Sequence, residues 1–175
     1  MASQGDLALI LNVLTAVTRP QNLPQIAASL AQQSWWEIRW HLRLDPEGQN
    51  VGGQNLKNDM LDGITDGWVW ILDDDTVAPP GLLDQVFTAI CPWIKVVVVS
   101  QLRNDVGRLA AAPEFMHPGL VDAGQLFAHR DAIGDRRLPD DYNGDGMFIE
   151  ALIQGIPDDE VFYLQDVHSF HNALR

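Results

Sequence analysis

The sequence predicts a single three-layer α/β/α domain with a mainly parallel sheet, and three observations predict it. Short continuous apolar runs, "LALILNVLT", "WVWIL" and "IKVVVVS", have the length and evenness of strands buried on both faces. They alternate with segments of helical periodicity, the order that βαβ units require. No internal repeat or low-complexity linker interrupts the 175 residues, so one domain over 1–175 is expected, large enough for its own core.

Residues 7–15 form the first apolar run, and the turn "TRPQNLP" leads into an Ala-rich helix over 24–33 whose apolar face carries Ile26, Ala27 and Leu30. "WEIRWHLRL" alternates Trp36, Ile38, Trp40 and Leu42 with Glu37, Arg39, His41 and Arg43, a strand with one wetter face and so a candidate for the sheet edge. "DPEGQNVGG" is a loop by its Pro, Gly and Asn content, and "QNLKNDMLDGI" is helical. "WVWIL" is a buried strand. A helix over 80–90 opens on a proline, and "IKVVVVS" is the next buried strand. A strand over 125–129 runs into a short helix. "GDGMFIEALIQG" is a helix with Met147, Phe148, Ala151 and Leu152 on its apolar side and Gly155 as its stop.

The charge balance excludes several classes of function. A formal net charge of -13 and a pI near 4.4 oppose binding to nucleic acid, which needs clustered Lys and Arg; the lysines here are Lys57 and Lys95. Anionic membranes are disfavoured for the same reason. The lone Cys91 cannot form an internal disulfide, which suits a reducing, cytoplasmic setting. The sequence opens without the basic region of a signal peptide, and no apolar run is long enough to be a transmembrane segment. An oligomer is compatible with this composition.

The densest chemical signal is "DGWVWILDDDTVAPPGLL", where a buried strand stops at Asp73, Asp74 and Asp75. One Asp would serve as a turn residue or as a cap for the helix that follows. Three adjacent carboxylates repel one another and are most stable around a cation or a set of donors. Two carboxylates one residue apart on a loop can reach two sides of one hard cation, and Mn²⁺ or Mg²⁺ keeps positions for waters and substrate phosphates. The end of a strand in an open α/β sheet is also where ligands bind. Lys57 can reach a phosphate as a point charge, or cover the surface with its methylene stem, and Asn55 and Asn58 lie on the same helix. Asp122 in "VDAGQ" stands at a strand entrance, placed for sugar or acceptor hydroxyls or for a turn. Asp145 in "YNGDGMF" stands at a helix start, where a carboxylate also suits an N-cap.

Taken together, "LTAVTRPQNLPQIAASL", "NLKNDMLDGITDGWVWILDDDT" and the closing "VHSFHNALR" resemble glycosyltransferase family 2, with its GT-A nucleotide-diphospho-sugar transferase fold, over almost the whole chain and in order. The resemblance implies a base and ribose pocket near Thr15, Thr18 and Arg19, ribose or metal contacts at Asp73 and Asp74, and a metal contact at Asp75. It implies a metal-dependent hexosyltransferase that moves a sugar from a nucleotide-sugar donor, UDP-linked by preference, to an acceptor hydroxyl on a glycan, a lipid-linked carrier or a small molecule. It implies Asp145 as the base that deprotonates the acceptor, with Asp122 as second candidate, and a histidine of the tail, His168 or His171, in the metal shell. Spacing of three would bring both imidazoles to one face of a helix. The sequence departs from the family in being short and in having "GDG" where a Glu-Asp pair is common.

Two other classes compete. "ILDDDTV" also matches the haloacid dehalogenase-type phosphohydrolase motif, with Asp73 as nucleophile and Asp75 as acid, although that family places the motif on its first strand. A non-catalytic nucleotide-sugar-binding protein would keep the fold and lose turnover.

Overall fold

In a computed structural model that describes residues 9–34, 36–45, 48, 51–104 and 107–174, with the side chains of Trp36 and Val51 excepted, the chain forms β1 (Leu9–Val17), α1 (Leu23–Ala31), β2 (Trp36–Leu44), α2 (Gln54–Asp62), β3 (Trp68–Ile71) and α3 (Leu82–Ala89). It continues with β4 (Val96–Arg103), β5 (Gly107–Leu109), β6 (Leu126–His129), α4 (Arg130–Ile133), α5 (Gly144–Gln154) and β7 (Val161–His171). Leu7 and Ala8 of the first predicted strand, and Pro46, Glu47, Gln49 and Asn50 of the predicted loop, lie outside the described residues.

The strands join in the order β2-β1-β3-β6-β4-β5, with β7 also paired to β4. β1 pairs in parallel with both β2 and β3, and β4 with β7. β6 runs antiparallel to both β3 and β4. The sheet is therefore mixed, yet β1, β2, β3, β4 and β7 share one direction and their carboxyl ends open on one side. The reversal of β6 has a consequence there: its beginning, not its end, lies beside those carboxyl ends. Asp122, just ahead of β6, is carried to the same rim.

Alternation along the strands builds two cores. Trp68, Trp70, Val97 and Val99 face Ile26 and Leu30 of α1 and Leu82, Leu83 and Val86 of α3. Val69, Ile71, Val96 and Val98 face Met60 and Leu61 of α2 and Phe148, Ile149 and Leu152 of α5. Helices on both faces of one sheet make the three layers.

Some local expectations shift. On α1 the buried face is Ile26 and Leu30, while Ala27 is exposed. On α5 it is Phe148, Ile149 and Leu152, while Met147 and Ala151 face out; the helix also uses its first turn to pack Gly144 against Pro139 and Gln54 and Gly146 against Pro118. The tail "VHSFH" is the end of β7, not a helix. A strand has period two, so residues three apart point to opposite faces, and His168 and His171 cannot act together.

α2 is held close to the sheet. Gly53, immediately before it, has φ of 69°, and a Cβ there would collide with the Cβ of Ala16 on β1. Only glycine combines that backbone with that approach.

Candidate active site

The carboxyl ends of β1 and β3 meet through Asp74. Its carboxylate accepts from Thr18 N (2.6 Å), Thr18 Oγ1 (2.9 Å), Arg19 N (2.6 Å) and the Arg19 guanidinium, while Asn22 donates to its carbonyl. Its oxygens are thus engaged by protein donors, and it ties the turn after β1 to the turn after β3. Arg19 bridges onward to Asp75, 3.1 Å from Oδ2.

Asp75 is buried, and its Oδ1 lies 3.9 Å from Nδ1 of His171 at the end of β7. His171 is buried as well, 3.8 Å from Asp122 Oδ2 and within 3.3 Å of Thr76 Oγ1. β7 reaches this rim because it lies parallel to β4 on both sides of an irregularity at 165–167, ending with Arg103 opposite His171. Asp73, Asp75 and His171 each offer a ligand atom, all within 4.8 Å of one another; Asp73, Asp122 and Asp145 form a second such group that shares Asp73.

Lys57 is a second cation among these carboxylates, in addition to Arg19. Its side chain is 1% exposed, with Nζ 2.9 Å from Asp73 Oδ1 and 3.9 Å from Asp145 Oδ1. Burial alone would lower its pKa, but the charges of Asp145 and Asp73 outweigh burial and raise it, so it stays protonated. Burial likewise pushes the Asp73 carboxyl up, and the Lys57 charge and hydrogen bond, with His171 and Arg19, more than reverse that and hold it low. Asp122 goes the other way: burial, then the charges of Asp73 and Asp145, push it up to about 6. Its Oδ1 is anchored by Gly124 N (2.9 Å) and Gln101 Nε2 (3.2 Å), so it also caps the turn Ala123–Gln125.

Two cavities open on these groups. The smaller, about 190 Å³, is lined by Ala16, Thr18, Arg19, Gly52, Gly53 and the three aspartates. The larger, about 640 Å³, is walled by Asp73, Asp122, Asp145, His171, Tyr142 and Asn172 among others. A third, about 300 Å³ and largely apolar, lies at the opposite end of the sheet around Trp68, Phe87, Ile90 and Cys91 and shares no residue with the acidic cluster.

Of the residues singled out in the sequence, Thr18, Arg19, Lys57, Asp73, Asp74, Asp75, Asp122, Asp145 and His171 come together here. Thr15 does not: it is fully buried behind the groove, its Oγ1 accepting from Trp40 Nε1 at 3.0 Å. Asn55 is exposed on α2 and lines neither cavity, and Asn58 holds the backbone of Leu138. His168 lies outside both groups of ligand atoms; burial and the charge of Arg108 lower its pKa. Asp145 is not the N-cap of α5, which is Asn143, but the second residue of the helix, in the first turn where a carboxylate suits the helix dipole. Gln54 and Gln101 were not legible as site residues, although Gln54 stands three residues before Lys57 and therefore on the same face of α2.

No family model and no curated protein matches this chain. Solved structures do, among them the crystal structure of Staphylococcus aureus TarS residues 1–349, with a TM-score of 0.74 at 12% identity over 93% of this chain and 60% of that one. The chain thus spans about three fifths of that structure. The likeness is one of fold: this is a GT-A-like α/β fold of the kind found in family 2 glycosyltransferases.

Proposed function

We propose that the chain is a metal-dependent glycosyltransferase that moves a sugar from a nucleoside-diphosphate sugar to an acceptor hydroxyl. The observation that carries this reading is the convergence of Asp73, Asp75 and His171 between the two polar cavities of a GT-A-like fold. Two carboxylates and an imidazole suit Mn²⁺ well and Mg²⁺ less well, since Mg²⁺ prefers oxygen throughout. When bound, the cation supplies charge to stabilise the leaving diphosphate. The groove beside Thr18, Arg19 and Gly53 takes the nucleoside, with uridine diphosphate as the preferred carrier. The larger cavity takes the donor sugar and the acceptor. Lys57 keeps Asp73 ionised. Asp145, on the wall of the larger cavity, removes the acceptor proton, and Asp122 orients hydroxyls from the facing wall. The fold gives no support to the haloacid dehalogenase-type reading, whose motif belongs on a first strand; here it ends the third.

Thermal denaturation with and without Mn²⁺ tests this. At a ligand concentration about 100-fold above Kd, UDP or GDP with Mn²⁺ is expected to raise Tm by roughly 5–10 °C, and neither should do so in chelator. Equal shifts with and without the metal would discard the metal bridge. Turnover of a generic phosphoester, lost in Asp73→Asn, would favour the phosphohydrolase instead.

A further inference from the structure

Asp145 follows a residue with no side chain, and the space beside that residue is filled from another element. A Cβ on Gly144 would stand 3.2 Å from Gln54 Nε2 and would collide with the carbonyl oxygen of Pro139. Gln54, the first residue of α2, is 2% exposed, and its Nε2 donates to Asp145 Oδ1 at 2.9 Å. Lys57, one turn further on, approaches the same oxygen. Among the described residues, Gln54 Oε1 has no hydrogen-bond partner. A buried amide that leaves its oxygen unmatched carries the desolvation cost of that oxygen without a compensating bond. Its value must lie in what its nitrogen does.

We infer that Gln54 is a positioning residue for Asp145, holding Oδ1 so that Oδ2 is the oxygen that takes the acceptor proton. This rests on Asp145 being the base of the proposed transfer. In that step the acceptor O–H gives its proton to Oδ2 while its oxygen bonds to the anomeric carbon. The bond from that carbon to the diphosphate oxygen breaks, and the electron pair leaves with the nucleoside diphosphate. With Gln54 and Lys57 both directed at Oδ1, the carboxylate is fixed in rotation, and the proton-accepting lone pairs of Oδ2 keep one direction.

Gln54→Met keeps the length and removes the donor. The assay is Mn²⁺-dependent hydrolysis, with water in the acceptor's place, of whichever UDP- or GDP-linked sugar the wild-type chain turns over fastest. Gln54→Met is expected to lower kcat at least about tenfold and to leave the donor KM within about twofold. In an Asp145→Asn background the same change should cost nothing further, because no base remains to be oriented. Gln54→Glu, which sets a second carboxylate against Oδ1, should slow turnover at least as much and serves if the Met variant folds poorly. Wild-type kcat in Gln54→Met, or an equal loss in both backgrounds, overturns the role of Gln54 alone. A wild-type chain that turns over no nucleoside-diphosphate sugar, UDP- or GDP-linked, with water or with any acceptor hydroxyl, overturns the transfer reading and the role of Gln54 with it.

Discussion

At the scale of single residues, neighbours in the aspartate run do different work. The Asp74 carboxylate satisfies the backbone donors of Thr18 and Arg19, so Asp74→Ala strands them and is expected to cost about 2–4 kcal/mol of stability in urea unfolding. Asp75→Ala should instead abolish the Mn²⁺-dependent rise in Tm with nucleotide. Asp145→Asn retains an acceptor for Gln54 and should bind donor normally while turning over at least about a hundredfold more slowly; a near wild-type rate would pass the role of base to Asp122. The carboxylates were legible because three adjacent charges after a buried strand demand a reason. Gln54 and Gln101 were not, because a neutral amide has no motif and becomes visible only when its partner is in place.

At the scale of elements, strand direction decides which side chains share the rim. The apolar runs "WVWIL" and "IKVVVVS" revealed buried strands, but hydrophobic pattern carries no direction, and the reversal of β6 that delivers Asp122 could not be read from it. The tail misled for a related reason, since two histidines three apart suit a helix and not a strand. Loss of a group that merely supports a metal ligand costs 10- to 100-fold in affinity, so His171→Ala, if it removes a ligand, should weaken Mn²⁺ binding at least about tenfold. His168→Ala should leave it unchanged; calorimetric titration of both variants with Mn²⁺ separates them.

At the scale of the whole molecule, the fold class was legible because the alternation of elements and the wet edge strand β2 follow from periodicity, although periodicity misplaced Ala27, Met147 and Ala151 on the buried helix faces. What the molecule does with its net charge of -13 was not, since composition does not say which carboxylates are brought together. Asp122 titrates at about 6, above the ordinary carboxylate range of an unfolded chain, so the folded state holds that proton more tightly. Its ionisation therefore costs stability progressively as pH rises from about 4 to 6, and the cost persists above that. Asp73, held low, has the opposite sign, but its stabilising share is lost only as pH falls below about 4. Metal-free chain should thus gain stability from this group on acidification from pH 7 to pH 5, and Asp122→Asn should flatten that slope in chemical denaturation.

The crowding of Asp73, Asp122 and Asp145 around the single ammonium of Lys57 also bears on how long a chain survives. A polypeptide that carries this repulsion opens more often than one in which a cation relieves it, and open chains are the ones proteases cut. Mn²⁺ should accordingly slow limited trypsin digestion of the wild type and do little for Asp75→Ala. In a cell the same bias would shorten the lifetime of unloaded chains, so that degradation itself keeps the standing pool enriched in molecules ready to work.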